Sequence, residues 1–381
     1  MQVGIIGLPN VGKSTIFNVL TKAHAVVANY PFCTIEPNVG LVNVPDNNIA
    51  KLAKIYNSKK VTFASIKFVD VAGLVSGASK GEGLGNKFLS HIREVDVIAH
   101  VIRCFKDENV SHIAKDINPL RDIQIINTEL ILADLEILAK RKEKYLSLAK
   151  AGDKQAKENL EIIDFLIEKL NNIDLEFVDD LNININDIGS NSKNKLAEKI
   201  NQKSPLLFNE LNLFYFKPII FVANLSGQKE DEELYNNLLK EINFKTNSVN
   251  IVKIYGKLEN ELLKLPEEER QLYRTELGIK EDSVSEFIKK SYDLLSLITF
   301  YTINENEARA WPLLKNTKIL EAAGKIHTDM QKGFIKAEVI NCKKLLEIGS
   351  IHKAREEGIL RIEGRDYIVQ DNDVIQIKFS L

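Results

Sequence analysis

Near the start of the chain, Gly7-Leu8-Pro9-Asn10-Val11-Gly12-Lys13-Ser14 sets two glycines, a lysine and a hydroxyl in the spacing G-x-x-x-x-G-K-[ST]. In that spacing, backbone N–H groups wrap a β-phosphate. Lys13 neutralises the β- and γ-oxygens, and the Ser14 hydroxyl ligates Mg²⁺. The helical pattern that follows, Thr15–Leu20, points its positive end at the same phosphates. Asn10, Val11, Gly12, Lys13, Ser14 and Thr15 are therefore the expected nucleotide contacts, with Lys13 also serving the chemistry. A glycine turn that binds nothing is the plain alternative. The strand before the loop and the helix after it argue against that.

Two further segments complete such a site. Asp70-Val71-Ala72-Gly73 closes an apolar run and fits D-x-x-G, in which the Asp holds Mg²⁺ and the Gly73 N–H faces the γ-phosphate. Thr34, in Pro31-Phe32-Cys33-Thr34-Ile35-Glu36-Pro37, is the expected second hydroxyl on the metal. Loops of this kind order around γ-phosphate and Mg²⁺ and relax after hydrolysis. Ras-type switches place a glutamine directly after D-x-x-G to orient water. This chain has Leu74, which cannot do so. Either hydrolysis is slow, leaving a nucleotide-gated binding module, or another group positions the water.

The base is read from what is missing. Guanine-specific enzymes of this kind carry Asn-Lys-x-Asp, whose carboxylate accepts from guanine N1–H and the 2-amino group. Here the stretch is Asn224-Leu225-Ser226-Gly227. The carboxylate is gone and Leu225 offers an apolar surface. Asn224 retains an amide that suits the N6/N7 edge of adenine, a pairing known from DNA readout. ATP is expected over GTP, and relaxed specificity is the competing reading.

The elements that must carry these residues follow from pattern. Val3–Ile6, Ile66–Val71, Val97–Ile102 and Pro218–Ala223 read as buried strands separated by helical or loop signals, as in a parallel sheet clad by helices. Between about 127 and 205, Ile131, Leu135, Leu138, Tyr145 and Leu148 recur at helical spacing. After Ala151-Gly152-Asp153, so do Leu160, Ile163, Leu166 and Leu170. This predicts an antiparallel helical hairpin inserted into the α/β domain. Beyond it, Leu297–Ile303, Gly333–Val339, Tyr367–Gln370 and Val374–Phe379 read as short strands around a helix near Ile319–Ala323, a separate α+β module.

Composition sets the outer bounds. With 381 residues, the chain has room for two or three domains. A net charge of -2 gives no global reason to expect DNA or an anionic membrane as partner. Cys33, Cys104 and Cys342 form no CxxC pair, which fits a reducing compartment. No basic n-region with a long apolar stretch follows Met1, and no stretch approaches the roughly 18 apolar residues of a membrane span. A cytoplasmic location is expected.

With these residues in hand, the chain resembles the YchF family, the Obg-like ATPases, over essentially its full length. The resemblance rests on Gly7 to Thr15, Asn29-Tyr30-Pro31-Phe32-Cys33-Thr34-Ile35-Glu36-Pro37, Gly73-Leu74-Val75 and Gly77 to Asn86. Asn127-Thr128-Glu129-Leu130, Arg309-Ala310-Trp311, Ile326-His327-Thr328-Asp329, Lys332-Gly333-Phe334-Ile335 and Tyr367 to Asp371 extend it. It implies an α/β P-loop NTPase of the Obg-type G-domain class over 1–275, interrupted by the helical arm. A C-terminal TGS domain of β-grasp form is implied over 297–380. It also implies ATP hydrolysis and association with the ribosome. His112 stands where such proteins carry a histidine proposed to assist hydrolysis. Asn10 resembles the asparagine that helps hold K⁺ in related NTPases. Gly227 departs from the pattern, because family members commonly have Glu there. In the C-terminal module, Arg309, Lys332, Lys336, Lys343 and Lys344 are scattered positive charge, which suits contact with ribosomal RNA phosphates and a plain solvated surface equally well, and Trp311 reads as a packed aromatic.

Overall fold

The computed structural model describes residues 1–23, 38–71, 84–107, 116–173, 192–243, 250–276 and 282–380. Along the chain run β1 (Gln2–Ile6), α1 (Lys13–Ala23), β2 (Val39–Asn43), α2 (Asn47–Tyr56), β3 (Lys60–Thr62), β4 (Ser65–Asp70), α3 (Leu84–Glu94) and β5 (Val97–Arg103). The long helix α4 (Pro119–Lys150) comes next, then α5 (Lys154–Asn171), α6 (Ser192–Lys203) and α7 (Pro205–Leu211). After them come β6 (Ile219–Asn224), α8 (Lys229–Asn243), β7 (Ile251–Ile254), α9 (Gly256–Leu262), α10 (Glu267–Glu276) and α11 (Ser283–Leu294). The remainder holds β8 (Leu297–Ile303), β9 (Glu307–Leu314), α12 (Ile319–Ile326), α13 (Thr328–Lys332), β10 (Phe334–Asn341), α14 (Cys342–Ile348), α15 (Ile351–Glu356), β11 (Arg361–Glu363) and β12 (Asp373–Phe379).

These residues form two compact units, one of 1–23, 38–40 and 67–291, the other of 41–66 and 292–380. The first is built on a six-stranded sheet of order β2-β4-β1-β5-β6-β7. β1 pairs in parallel with both β4 and β5, and β5, β6 and β7 continue in parallel. All seven residues of β5 and all six of β6 are buried, as an apolar run covered on both faces must be. β1 lies centrally, so the chain leaves it at a point where connections diverge to either side. The crevice at the carboxyl ends of such strands is where ligands bind in open α/β sheets.

The arm is built from α4 and α5. Asn118 caps α4 by accepting from Arg121 N at 3.0 Å, with Pro119 at the first helical position. The helix stops at Ala151-Gly152-Asp153. Gly152 takes φ +95° and Asp153 caps α5 through Ala156 N at 3.1 Å. The antiparallel course follows from the ion pair of Lys142 with Asp164 at 2.7 Å, each about the same distance from the turn. Leu138, Ile163, Leu166 and Leu170 form the seam with Leu207 and Leu211 of α7. Leu148, expected in that seam, is exposed, because it lies in the last turn before the break. Helix α4 also begins earlier than expected. Ile123 and Ile126 in its first turns are fully buried.

The second unit holds a six-stranded sheet of order β11-β10-β12-β8-β9-β3. Phe300, Leu313, Ile319, Ala323, Phe334 and Val339 make the core between this sheet and α12. Residues 41–66 lie with this unit, although a linear division at 275 and 297 leaves them with the first. The reason is pairing. β3 adds in parallel to β9, and the Tyr301 hydroxyl donates to the Asp46 carboxylate at 2.9 Å. Asp46 also caps α2, through Asn48 N and Ile49 N. The expected strand at Tyr367–Gln370 is reduced to a single bridge between Lys318 and Ile368. There the backbone turns around Asp373, whose carboxylate accepts from the Tyr367 hydroxyl and Gln370 N. Strands β2, β3, β7, β9 and β11 have no counterpart in the sequence reading. Four of them are short, and Pro312 breaks the strand signal in β9.

Candidate nucleotide site

The loop after β1 is shaped by what surrounds it. A Cβ at Gly7 would sit 2.5 Å from the carbonyl oxygen of Val101, so β5 approaches too closely for a side chain. Gly12 takes φ +99° and lies directly against the Asn224 amide. Asn10 takes φ 62°, a region asparagine tolerates better than most residues. The loop therefore runs with its backbone open, as contact with phosphate requires.

Lys13 opens α1 and is buried, with its Nζ donating to Leu8 O at 2.8 Å. Burial lowers its pKa, and the Asp70 carboxylate partly restores it. Ser14 Oγ donates to Asp70 Oδ2 at 2.9 Å, which brings the hydroxyl of one motif onto the carboxylate of another. The two lie 56 positions apart and meet because β4 pairs beside β1, with Ile5 opposite Asp70. Behind them, His100 in β5 is 2% exposed and stands opposite Ile6. Burial and the neighbouring Lys13 depress its pKa to about 3, so the ring stays neutral.

A cavity of about 1140 Å³ opens over this loop. It is lined by Asn10, Gly12, Lys13, Ser14 and Thr15 together with Phe105, Lys106, Asp107, Asn224, Leu225, Ser226, Gln228, Glu230 and Lys257. Val11 contributes its carbonyl to the frame instead of lining the cavity. That carbonyl accepts from Asn224 Nδ2 at 2.9 Å, while Asn224 Oδ1 accepts from Gly256 N at 3.0 Å. Asn224 thus fastens the phosphate loop to the start of α9. The amide keeps a second N–H and a second oxygen lone pair beyond these two bonds. Leu225 is buried and Gly227 carries no carboxylate, as the sequence already says.

Several contributors escaped the sequence reading. Asp231, out of register with the base-recognition stretch, holds that stretch in place. Its Oδ2 accepts from Ser226 N and Ser226 Oγ, each at 2.6 Å, and from Gly227 N at 3.1 Å. An Asp just inside a helix after Ser-Gly is the signal that could have found it. Phe105 supplies an aromatic wall, and its position after a buried strand was the available cue. Thr34, Gly73, Leu74 and His112 lie outside the described residues. Among the described residues, no group of three or more His, Cys, Asp or Glu side chains could hold a metal, and no helix is long and apolar enough to cross a membrane.

With this geometry in view, comparison with known proteins is specific. A family model described as a 50S ribosome-binding GTPase matches residues 2–224. The model of a YchF-GTPase C-terminal family, described as a protein of unknown function, matches residues 297–380. The ribosome-binding ATPase YchF of Bacillus subtilis is 43% identical over 383 residues, covering all of both chains. The protein of the same name from Haemophilus influenzae is 41% identical over 380 residues, covering 100% of this chain and 99% of its own. Among solved structures, the Schizosaccharomyces pombe YchF GTPase superposes with a TM-score of 0.82 at 31% identity, covering 99% of this chain and 97% of that one.

Proposed function

The chain belongs to the YchF family, and from that premise and the cavity we infer that it is a ribosome-binding ATPase, a nucleotide-dependent switch. The observation that carries this reading is the contact of Ser14 with Asp70 beside a cavity lined by Lys13, Ser14, Phe105, Asn224 and Leu225. That arrangement offers backbone N–H groups and one ammonium to a triphosphate, with an apolar wall for the base.

Ser14 Oγ and the Asp70 carboxylate are hard oxygen donors already 2.9 Å apart, a set that suits Mg²⁺. When bound, Mg²⁺ would draw negative charge from the β- and γ-phosphates. Thr34 is read as its further hydroxyl ligand, and the Gly73 N–H as a γ-phosphate contact. Lys13 already lies against its own loop at Leu8 O, and a phosphate oxygen is a stronger acceptor for that amine. His112 is read as the group assisting hydrolysis in place of a glutamine, and Asn10 as a holder of K⁺.

ATP is favoured over GTP by the absence of a carboxylate at Gly227 and by the commitment of the Asp231 Oδ2 to Ser226 and Gly227. The curated relatives are named ATPases, whereas the fission yeast structure is titled a GTPase. GTP turnover with relaxed base recognition is accordingly the second reading. We read the arm and the C-terminal unit, taken as the TGS domain, as the parts that meet the ribosome and its RNA. Co-sedimentation with ribosomes tests the switch. Binding should differ severalfold between the states loaded with a non-hydrolysable ATP analogue and with ADP. Equal binding in both states would leave an ATPase without a switch.

A further inference from the structure

Residues 225–228 join β6 to α8, and Asn224, Leu225, Ser226 and Gln228 line the cavity. The two purines differ at the 6-position. Adenine carries an amino group there, which donates, and guanine a carbonyl oxygen, which accepts. Asn224 does not separate them, because beyond its bonds to Val11 O and Gly256 N it keeps both an N–H and an oxygen lone pair. Gln228 carries the same mixed amide. Leu225 is buried and apolar, and Gly227 has no side chain. Glu230 is exposed, so water competes for its carboxylate. Ser226 differs in kind.

Ser226 is half-buried, whereas Asp231 is 0% exposed. Asp231 Oδ2 accepts from Ser226 N at 2.6 Å and from Gly227 N at 3.1 Å. Ser226 Oγ lies 2.6 Å from the same oxygen. An oxygen that receives two N–H groups is an acceptor, so the proton between Oγ and Oδ2 belongs to the serine. A serine hydroxyl has one proton and two lone pairs. With the proton spent on Asp231, lone pairs are all that Oγ can offer a ligand. The short bond to a charged oxygen also polarises the hydroxyl and makes Oγ a stronger acceptor. The Ser226 backbone N–H is committed to the same carboxylate. Ser226 therefore offers an acceptor with no competing donor, the character that a glutamate at the next position would have supplied.

We propose that Ser226, fixed as an acceptor by Asp231, is the specificity-determining residue for the base: it takes a hydrogen bond from the adenine 6-amino group and repels the guanine 6-carbonyl oxygen. The proposal rests on the reading that the cavity takes a purine nucleoside triphosphate with its base against Leu225. Asp231 acts through Ser226 and is a positioning residue. A hydroxyl released from the carboxylate could rotate and donate to the guanine oxygen, so discrimination depends on both side chains.

Displacement of a fluorescent ATP analogue from the full chain, with Mg²⁺ present, tests it. The competitors are ATP, GTP and purine riboside triphosphate, which has no group at the 6-position. The wild type should bind ATP about tenfold more tightly than purine riboside triphosphate. Ser226→Ala keeps both backbone bonds to Asp231; it should bring the ATP affinity down to that of purine riboside triphosphate and leave the latter unchanged. Ser226→Thr should restore the wild-type ratio, which loss of the turn's shape alone would not predict. Asp231→Ala should narrow the preference for ATP over GTP by at least about fivefold; if that variant fails to fold, the alanine and threonine variants of Ser226 carry the test. An unchanged ratio of ATP to purine riboside triphosphate in Ser226→Ala would overturn the proposal while leaving the preference for ATP standing. Loss of that ratio in Glu230→Gln but not in Ser226→Ala would move the role to Glu230 and overturn it equally. A wild type that binds ATP and GTP alike would sink the base reading and the proposal with it.

Discussion

Asn224 illustrates how much one amide can carry. Its side chain satisfies the Val11 carbonyl and the Gly256 N–H, 213 and 32 positions away, and both bonds are buried. Truncation leaves two buried backbone groups unpaired, at about 1–3 kcal/mol each. Asn224→Ala should therefore lower the unfolding free energy, read by denaturant titration, by about 2–6 kcal/mol and weaken nucleotide binding together. A variant of unchanged stability would show that the amide is not a strut. Asp70→Asn is the opposite kind of change. It preserves an acceptor for Ser14 but removes a charge that a metal needs, so Mg²⁺-dependent turnover should fall by at least about tenfold with stability retained. His100 offers a third check at this scale. With its pKa depressed to about 3 by burial and Lys13, its ring resonances should not titrate between pH 5 and 8. A midpoint near 6.5 would mean that the ring is open to water.

At the scale of elements, the root of the arm is held by a buried charged knot. Asp134 of α4 is fully buried and accepts from Phe214 N at 3.1 Å and Tyr215 N at 2.8 Å. Arg93 lies 3.7 Å away and stacks over the Phe214 ring. Lys217 donates to the carbonyls of Arg93 and Val95. Burial raises the Asp134 pKa to about 7 despite the two backbone N–H donors and the nearby cations. Its folded value thus exceeds its unfolded one, so the stability contributed by protonation is fully present below about pH 4 and is lost as the pH rises through about 7. Thermal unfolding of wild type against Asp134→Asn from pH 4 to 7 should show the wild-type advantage shrinking steadily. A difference independent of pH would contradict it. This knot, like the Asp231 cap on Ser226, was not legible beforehand. The phosphate loop and the arm turn were legible because their information is contiguous, from Gly7 to Ser14 and from Ala151 to Asp153. Asp134 with Phe214, and Asp46 with Tyr301, join residues 80 and 255 positions apart. Only the folded chain brings them together. The strand expected at 367–370 failed for a related reason, since Asp373 captures the backbone that its apolar pattern would otherwise extend.

Across the whole molecule, an α/β G domain with a C-terminal domain joins a nucleotide cavity to two features a minimal hydrolase does not need, the arm and the second unit. Residues 41–66 give α2 and β3 to that second unit, so its sheet is completed by a segment lying between the phosphate loop and Asp70 in the sequence. That arrangement could not be read from a linear division of the chain. The central claim is that the cavity takes adenine in preference to guanine and hydrolyses the triphosphate. Competition of ATP and GTP for one site on the full chain, read by displacement of a fluorescent ATP analogue in the presence of Mg²⁺, tests it most directly. A missing or repelled hydrogen bond to a charged group is worth about 1.5–3 kcal/mol, so ATP should displace the analogue at concentrations at least about tenfold lower than GTP. Equal displacement, or tighter binding of GTP, would contradict the account.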